Sequence, residues 1–169
     1  MSALRKVAEL EYSSVSSFEI TDCFTKDFNI YLITSDRGCS YGYFRFINSA
    51  GSVDTRSLYD TARYFLKPNT TSTESINENA SYGFWFPELT SLGGNEMTVY
   101  TPYQSDVCTY VSFSSAIYDS STSNRFVKGI GRLVSMSRNT GFKVYAESGT
   151  ISGKVSVYGY NIKGYESST

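Results

Sequence analysis

Apolar residues in this chain recur mainly at every second position, the period of a strand whose side chains alternate between two faces, and seldom at the 3.6-residue period of a helix. In FNIYLI, residues 28–33, Phe28, Ile30 and Leu32 share one face while Tyr31 and Ile33 share the other. In YFRFI, residues 43–47, Phe44 and Phe46 oppose Tyr43, Arg45 and Ile47. The same reading predicts strands over residues 15–21, 82–86, 97–100, 108–113, 131–136, 142–146 and 154–160, with Gly, Asn, Asp, Ser or Pro in most gaps. Many short strands at fairly regular spacing predict an all-β chain folded as a single antiparallel β-sandwich.

The last strand carries the clearest parity. Ile151, Gly153, Val155, Val157 and Gly159 form a row expected to face the core. Ser152, Lys154, Ser156, Tyr158 and Tyr160 form the outward row, and Gly149 and Gly153 permit the tight entry into the sheet. Two segments resist the pattern. In residues 57–67, Leu58, Ala62 and Phe65 would line one face of a helix, but an irregular strand is the preferred reading. Residues 68–81 are nearly all polar and are expected to form a long surface loop. With no internal repeat or linker, residues 15–163 are read as one domain, flanked by an N-terminal arm, 1–14, and a C-terminal tail, 164–169, both expected to be free until neighbours order them.

Composition narrows the function. A chain of 169 residues can bury a core without staples. Its 18% of charged residues falls below the roughly 25% usual for globular domains. Fifteen Lys plus Arg against sixteen Asp plus Glu leave a formal charge of −1, without the basic stripe that a phosphate backbone demands, so nucleic acid is not an expected partner. No apolar run follows Arg5 and Lys6, which argues against a secretory signal, and no stretch has membrane-spanning length. Synthesis in a cytoplasm without membrane insertion is expected. Cys23, Cys39 and Cys108 are too far apart for a zinc cluster and odd in number, and are read as small reduced thiols.

The chain contains no histidine, which removes Ser-His-Asp and Cys-His nucleophile activation, H-E-x-x-H hydrolysis and imidazole proton shuttles. Gly129-Ile-Gly131 lacks the third glycine of a dinucleotide fingerprint, and Ser152-Gly-Lys154 lacks the upstream glycine of a phosphate loop. A two-carboxylate glycosidase survives the histidine test, but Asp22, Asp54, Asp60 and Asp119 sit near predicted turns, where Asx bonding accounts for them. Asp36, Asp54, Glu74 and Glu78 have oxygen ligands suited to Ca²⁺ but not the spacing of a calcium loop. The glycosylation triplets at Asn69 and Asn79 are of a kind that a Ser/Thr-rich chain produces by chance. No catalytic residue, metal or cofactor is therefore expected. Tyrosine among Ser, Thr, Asn and Gly is instead the chemistry of recognition surfaces, where a rigid ring gives contact area and a hydroxyl gives a hydrogen bond. Tyr41, Tyr43, Tyr82, Trp85, Tyr100 and Tyr103 are the candidate ligand-contacting residues. The competing role for each is packing against a neighbouring strand.

The order of these strand texts resembles that of small virion proteins of marine and cyanobacterial tailed bacteriophages. The resemblance is carried by VSSFEITDCFTKDFNIYLI (15–33), YFRFINSAGSVDT (43–55), MTVYTPYQSDVCTYVSF (97–113) and TGFKVYAESGTISGKVSVYGY (140–160). It implies a non-enzymatic jelly-roll sandwich in the virion, as a capsid decoration, an appendage or a module of a tail fibre, and the lack of an elongated, repetitive shaft in a chain of 169 residues favours a capsid-exterior decoration or knob-like protein. Its partners would be the major capsid protein or tail and fibre proteins, with homo-oligomers expected. The alternative is a tail-fibre or receptor-binding module that recognises a host-surface carbohydrate.

Overall fold

The computed structural model describes residues 4–36, 42–67, 71–81, 83–86, 94–117 and 125–161. Among these there are twelve strands and no helix: β1 (Arg5–Val15), β2 (Ser17–Ile20), β3 (Ile30–Ser35), β4 (Gly42–Asn48), β5 (Tyr59–Leu66), β6 (Thr73–Ala80), β7 (Phe84–Phe86), β8 (Asn95–Tyr100), β9 (Thr109–Ile117), β10 (Arg125–Leu133), β11 (Asn139–Ala146) and β12 (Ile151–Tyr160). They form an eight-stranded sheet in the order β1-β12-β3-β8-β9-β10-β5-β6 and a four-stranded sheet in the order β2-β11-β4-β7. Every pairing is antiparallel.

This order resolves into two parts. Strands β1-β12-β3-β8 and β2-β11-β4-β7 are the two halves of a jelly roll, whose successive strands alternate between the sheets except that β4 and β7 pair within one. Two strand pairs are inserted into it. β5 and β6 lie between β4 and β7, β9 and β10 lie between β8 and β11, and together they extend the larger sheet as β9-β10-β5-β6. Two insertions far apart in sequence thus meet along the unbroken β10–β5 register, from Phe126↔Leu66 to Leu133↔Tyr59.

The core is built from rings. Phe24, Phe44, Phe46, Phe84 and Phe142 are fully buried with Tyr31 and Tyr59. Phe44 stacks on Phe142 at 4.8 Å, and Phe84 meets Phe46 and Tyr59 edge-on at 5.9 and 4.9 Å. Each such burial contributes about 1.5–3 kcal/mol, with edge and offset geometry adding to it. The buried tyrosines also satisfy backbone groups. The Tyr59 hydroxyl donates to the Asp54 carbonyl at 3.0 Å and accepts from the Phe46 N–H at 3.1 Å, which fixes the passage from β4 to β5. Tyr31 does the same for both backbone groups of Thr25.

β10 shows how the extension is packed. Its inward Gly129 leaves room for the Phe113 ring. A side chain at Gly131 would place its first carbon 2.6 Å from Phe84 and 2.9 Å from Val111. The G-x-G is therefore a packing device that lets large rings approach the strand.

The structure corrects several expectations. Residues 73–80, expected within a loop, form β6. As an outer strand it has few inward positions to fill, so its polar sequence hides the pairing with β5. Most of the expected arm is β1, paired with β12. Bulges at Lys6/Ala8 and Tyr12/Val15 break the alternation that would have announced it. The strand expected over 15–21 is divided, because the chain changes sheets between β1 and β2. β10 starts earlier than expected and ends at Leu133. Residues 57–67 do contain a strand, and Val155, Val157, Ile151 and Gly159 face inward as expected. Ser156 faces outward as expected but is covered by Glu9, to which its hydroxyl donates at 3.0 Å. The tail, 164–169, lies outside the described residues.

Candidate recognition face

The inner face of the large sheet closes on the core. Across its outer face, the registers of β12, β3, β8, β9, β10, β5 and β6 align three transverse rows. The first runs Tyr160–Ile30–Tyr100–Tyr110–Arg132–Asp60. The second runs Tyr158–Leu32–Thr98–Ser112–Ile130–Ala62–Ile76. The third runs Ser156–Thr34–Glu96–Ser114–Lys128–Tyr64–Glu74. The first row is half tyrosine and ends in an ion pair, the second is apolar with small residues at its centre, and the third is polar.

Where these rows cross the extension, two shallow hollows flank Ile130. One, of about 550 Å³, is lined by Tyr100, Tyr110, Ser112, Ile76, Glu78 and the Asp60–Arg132 pair. The other, of about 480 Å³, is lined by Thr98, Ser112, Ser114, Glu96, Lys128, Tyr64 and Glu74. Ile130 and Ile76 are 64% and 61% exposed, and Tyr110 is 49% exposed. Tyr64, Leu66, Tyr100 and Phe126 are exposed on the same side. Apolar side chains gathered in this way on one face mark an interaction site more often than scattered ones do.

Local bonds set the polar groups. Arg132 donates to Asp60 at 2.7 Å, and this bond raises the guanidinium above its ordinary value. The Ser114 hydroxyl donates to Glu96 at 3.0 Å, and the Tyr100 and Ser112 hydroxyls lie 3.4 Å apart. Burial, then the neighbouring Tyr100, pushes the Tyr160 phenol up. At the opposite edge of the sheet, Lys154 bridges Glu9 at 2.8 Å and Glu11 at 3.7 Å. Bonds from Lys154, Lys6 and Ser156 hold the Glu9 carboxyl at about 2. Charges and bulges on β1 discourage pairing of that edge with another strand.

The six aromatic candidates do not converge. Tyr100 belongs to the recognition face. Tyr43 lies in the small sheet, donates to Glu147 at 3.1 Å and packs on Tyr145 at 5.4 Å, with the Arg45 guanidinium over Tyr145. Tyr103 follows β8, its ring under the Arg138 guanidinium at 4.8 Å. Trp85 lies in β7, but its side chain is outside the described residues, as are Tyr41 and Tyr82. Sequence reasoning missed Tyr64, Tyr110, Ile76 and Ile130. The signal was the inverted parity of RFVKGIGRL, in which Phe126 and Ile130 share a face with Lys128 and Arg132, opposite two glycines.

Two of the four acids considered for calcium have other roles. Asp36 accepts the Lys154 N–H at 2.7 Å, while Asp54 is buried and bonded to Arg56 at 2.6 and 2.9 Å. No group of three or more metal-ligating side chains occurs among the described residues. Cys23 is a buried free thiol whose burial raises it well above the ordinary range; Cys108 is a half-buried free thiol, and Cys39 lies outside the described residues.

No family model matches the chain, and no curated protein matches it. Among solved structures, the SPRY domain of human HERC1 is similar over 94% of this chain and 92% of that one, at 8% identity and a TM-score of 0.23, a likeness too slight to define fold or function.

Proposed function

We propose that this chain is a non-enzymatic surface protein of a bacteriophage virion, displayed on the capsid exterior and acting through contacts. The observation that carries the contact role is the open outer face of β8-β9-β10-β5-β6, where aromatic and aliphatic side chains stand beside paired charges. This face is built largely on strands that a jelly roll does not need for its own closure. The virion setting rests on the resemblance of the strand texts to small phage virion proteins, and the jelly-roll order of the strands is compatible with it. In this reading the body and its remaining surface join the particle through neighbouring virion proteins, and the extension faces outward.

Purified particles of the phage that encodes the chain provide the test. Gold-labelled antibody is expected over the head, with the chain present in the particle's mass spectrum. Label confined to the tail would reject head decoration in favour of the fibres. Absence of the chain from the particle would reject the virion role.

A further inference from the structure

We propose that the trough on the outer face of the extension binds a short segment of neutral glycan. This inference deepens the reading of that face as a contact surface and does not depend on the virion setting. A pyranose presents two different surfaces, a face of C–H groups and an edge of hydroxyls. The trough presents a matching asymmetry. On one bank, Tyr100 and Tyr110 are directly opposed across β8 and β9, giving exposed rings whose electron-rich faces attract C–H groups. On the other bank, Glu96, Ser114 and Lys128 stand in one cross-strand row as acceptors and donors for hydroxyls.

The floor between the banks is low because small side chains occupy it. Thr98, Ser112 and Ala62 fall in the middle row, where larger residues would fill the trough. Ile130 stands between the hollows of about 550 and 480 Å³. Both hollows are open, and they share Ala62, Ser112 and Ile130, which suits consecutive sugar units lying along the face.

Charge selects the class of glycan. Asp60 and Arg132 neutralise each other at 2.7 Å at the end of the aromatic bank. Lys128 lies in the same transverse row as Glu96 and Glu74, two strands away on either side. A polyanion would meet these carboxylates and a polycation would meet Lys128 and Arg132, whereas hydroxyls are served by both signs.

The test uses the full chain with cellohexaose, maltohexaose and mannohexaose as neutral probes, and polygalacturonate and chitosan oligomers as charged ones, read by calorimetric titration at low and high salt. At least one neutral probe should bind with little salt dependence. Tyr110→Ala should weaken it about tenfold, the equivalent of roughly 1.4 kcal/mol. Glu96→Gln should weaken it about threefold, a smaller effect because the amide retains one acceptor. Tyr43→Ala, on the small sheet, should leave it unchanged, and thermal melting of each variant identifies any loss due to misfolding. Failure of all three neutral probes at millimolar concentration would overturn the proposal, as would undiminished binding by folded Tyr110→Ala. So would salt-sensitive preference for a charged probe. Sedimentation showing a dimer that Ile130→Arg dissociates would assign the face to a second copy instead. None of these outcomes bears on whether the chain is present in the particle, which keeps the virion reading separately testable.

Discussion

Strands β12 and β3 of the jelly-roll body and strand β10 of the extension distribute bulk differently. In the body, β12 and β3 turn Val155, Val157, Tyr31 and Ile33 inward, and the outward Leu32, Tyr158 and Tyr160 are half-buried. In the extension, β10 turns Gly129 and Gly131 inward and leaves Phe126 and Ile130 exposed. The inward face of β10 gives Val127 and Leu133 to the core, and the two glycines between them admit the rings of Phe113 and Phe84, while Phe126 and Ile130 stand on the outer face. A strand's contribution to the core can thus be made in part by its neighbours, while its own outward apolar residues serve recognition.

Phe84 is where the two parts meet, since it packs on Phe46, Tyr59 and the space beside Gly131. Phe84→Ala should therefore cost the most, about 3–5 kcal/mol of unfolding free energy measured by chemical denaturation. A cost below about 1 kcal/mol would break the picture of a shared core. Gly131→Val drives a side chain into the same rings and should cost about 1–3 kcal/mol. If that substitution were neutral, the inward glycines would have no packing role.

Asp54 gives a smaller, pH-dependent test at the passage from body to extension. Burial alone would raise its carboxyl, but bonds from the Arg56 side chain and backbone outweigh burial and hold it below the ordinary value near 3.8. A carboxyl depressed in the fold contributes stability above its unfolded value and loses it as pH falls through the lower folded value. Wild type should therefore lose stability below about pH 4. Asp54→Asn should be less stable at neutral pH, with the difference narrowing in acid. Melting temperatures of both proteins across pH 2–7 check this, and a constant difference would contradict it. The smallest effect belongs to Ile130→Thr on the open face, expected within about 0.5 kcal/mol of wild type by denaturation. A large loss would mean that this face is covered in the folded protein.

The sequence made the sandwich legible wherever a strand has one buried face, as in residues 43–47 and 154–160, because alternation survives there. It concealed β6, whose polar sequence fits an edge, and much of β1, whose two bulges shift the parity. The site was harder to read. Tyr100 was identifiable, but its neighbours in space come from β5, β6, β9 and β10, which two separate insertions bring together. Single-residue reasoning about tyrosine cannot distinguish Tyr59, whose hydroxyl is buried between Asp54 and Phe46, from Tyr110, whose ring is exposed. Only the register separates them.

That separation is also the most direct test. Nitration of tyrosines by tetranitromethane, mapped by mass spectrometry on the free native chain, should modify Tyr64, Tyr100 and Tyr110 while sparing Tyr31 and Tyr59. The same pattern on intact particles would keep the extension outward. Protection of Tyr100 and Tyr110 in the free chain to the level of Tyr59 would contradict the account, because the face assigned to recognition would already be closed.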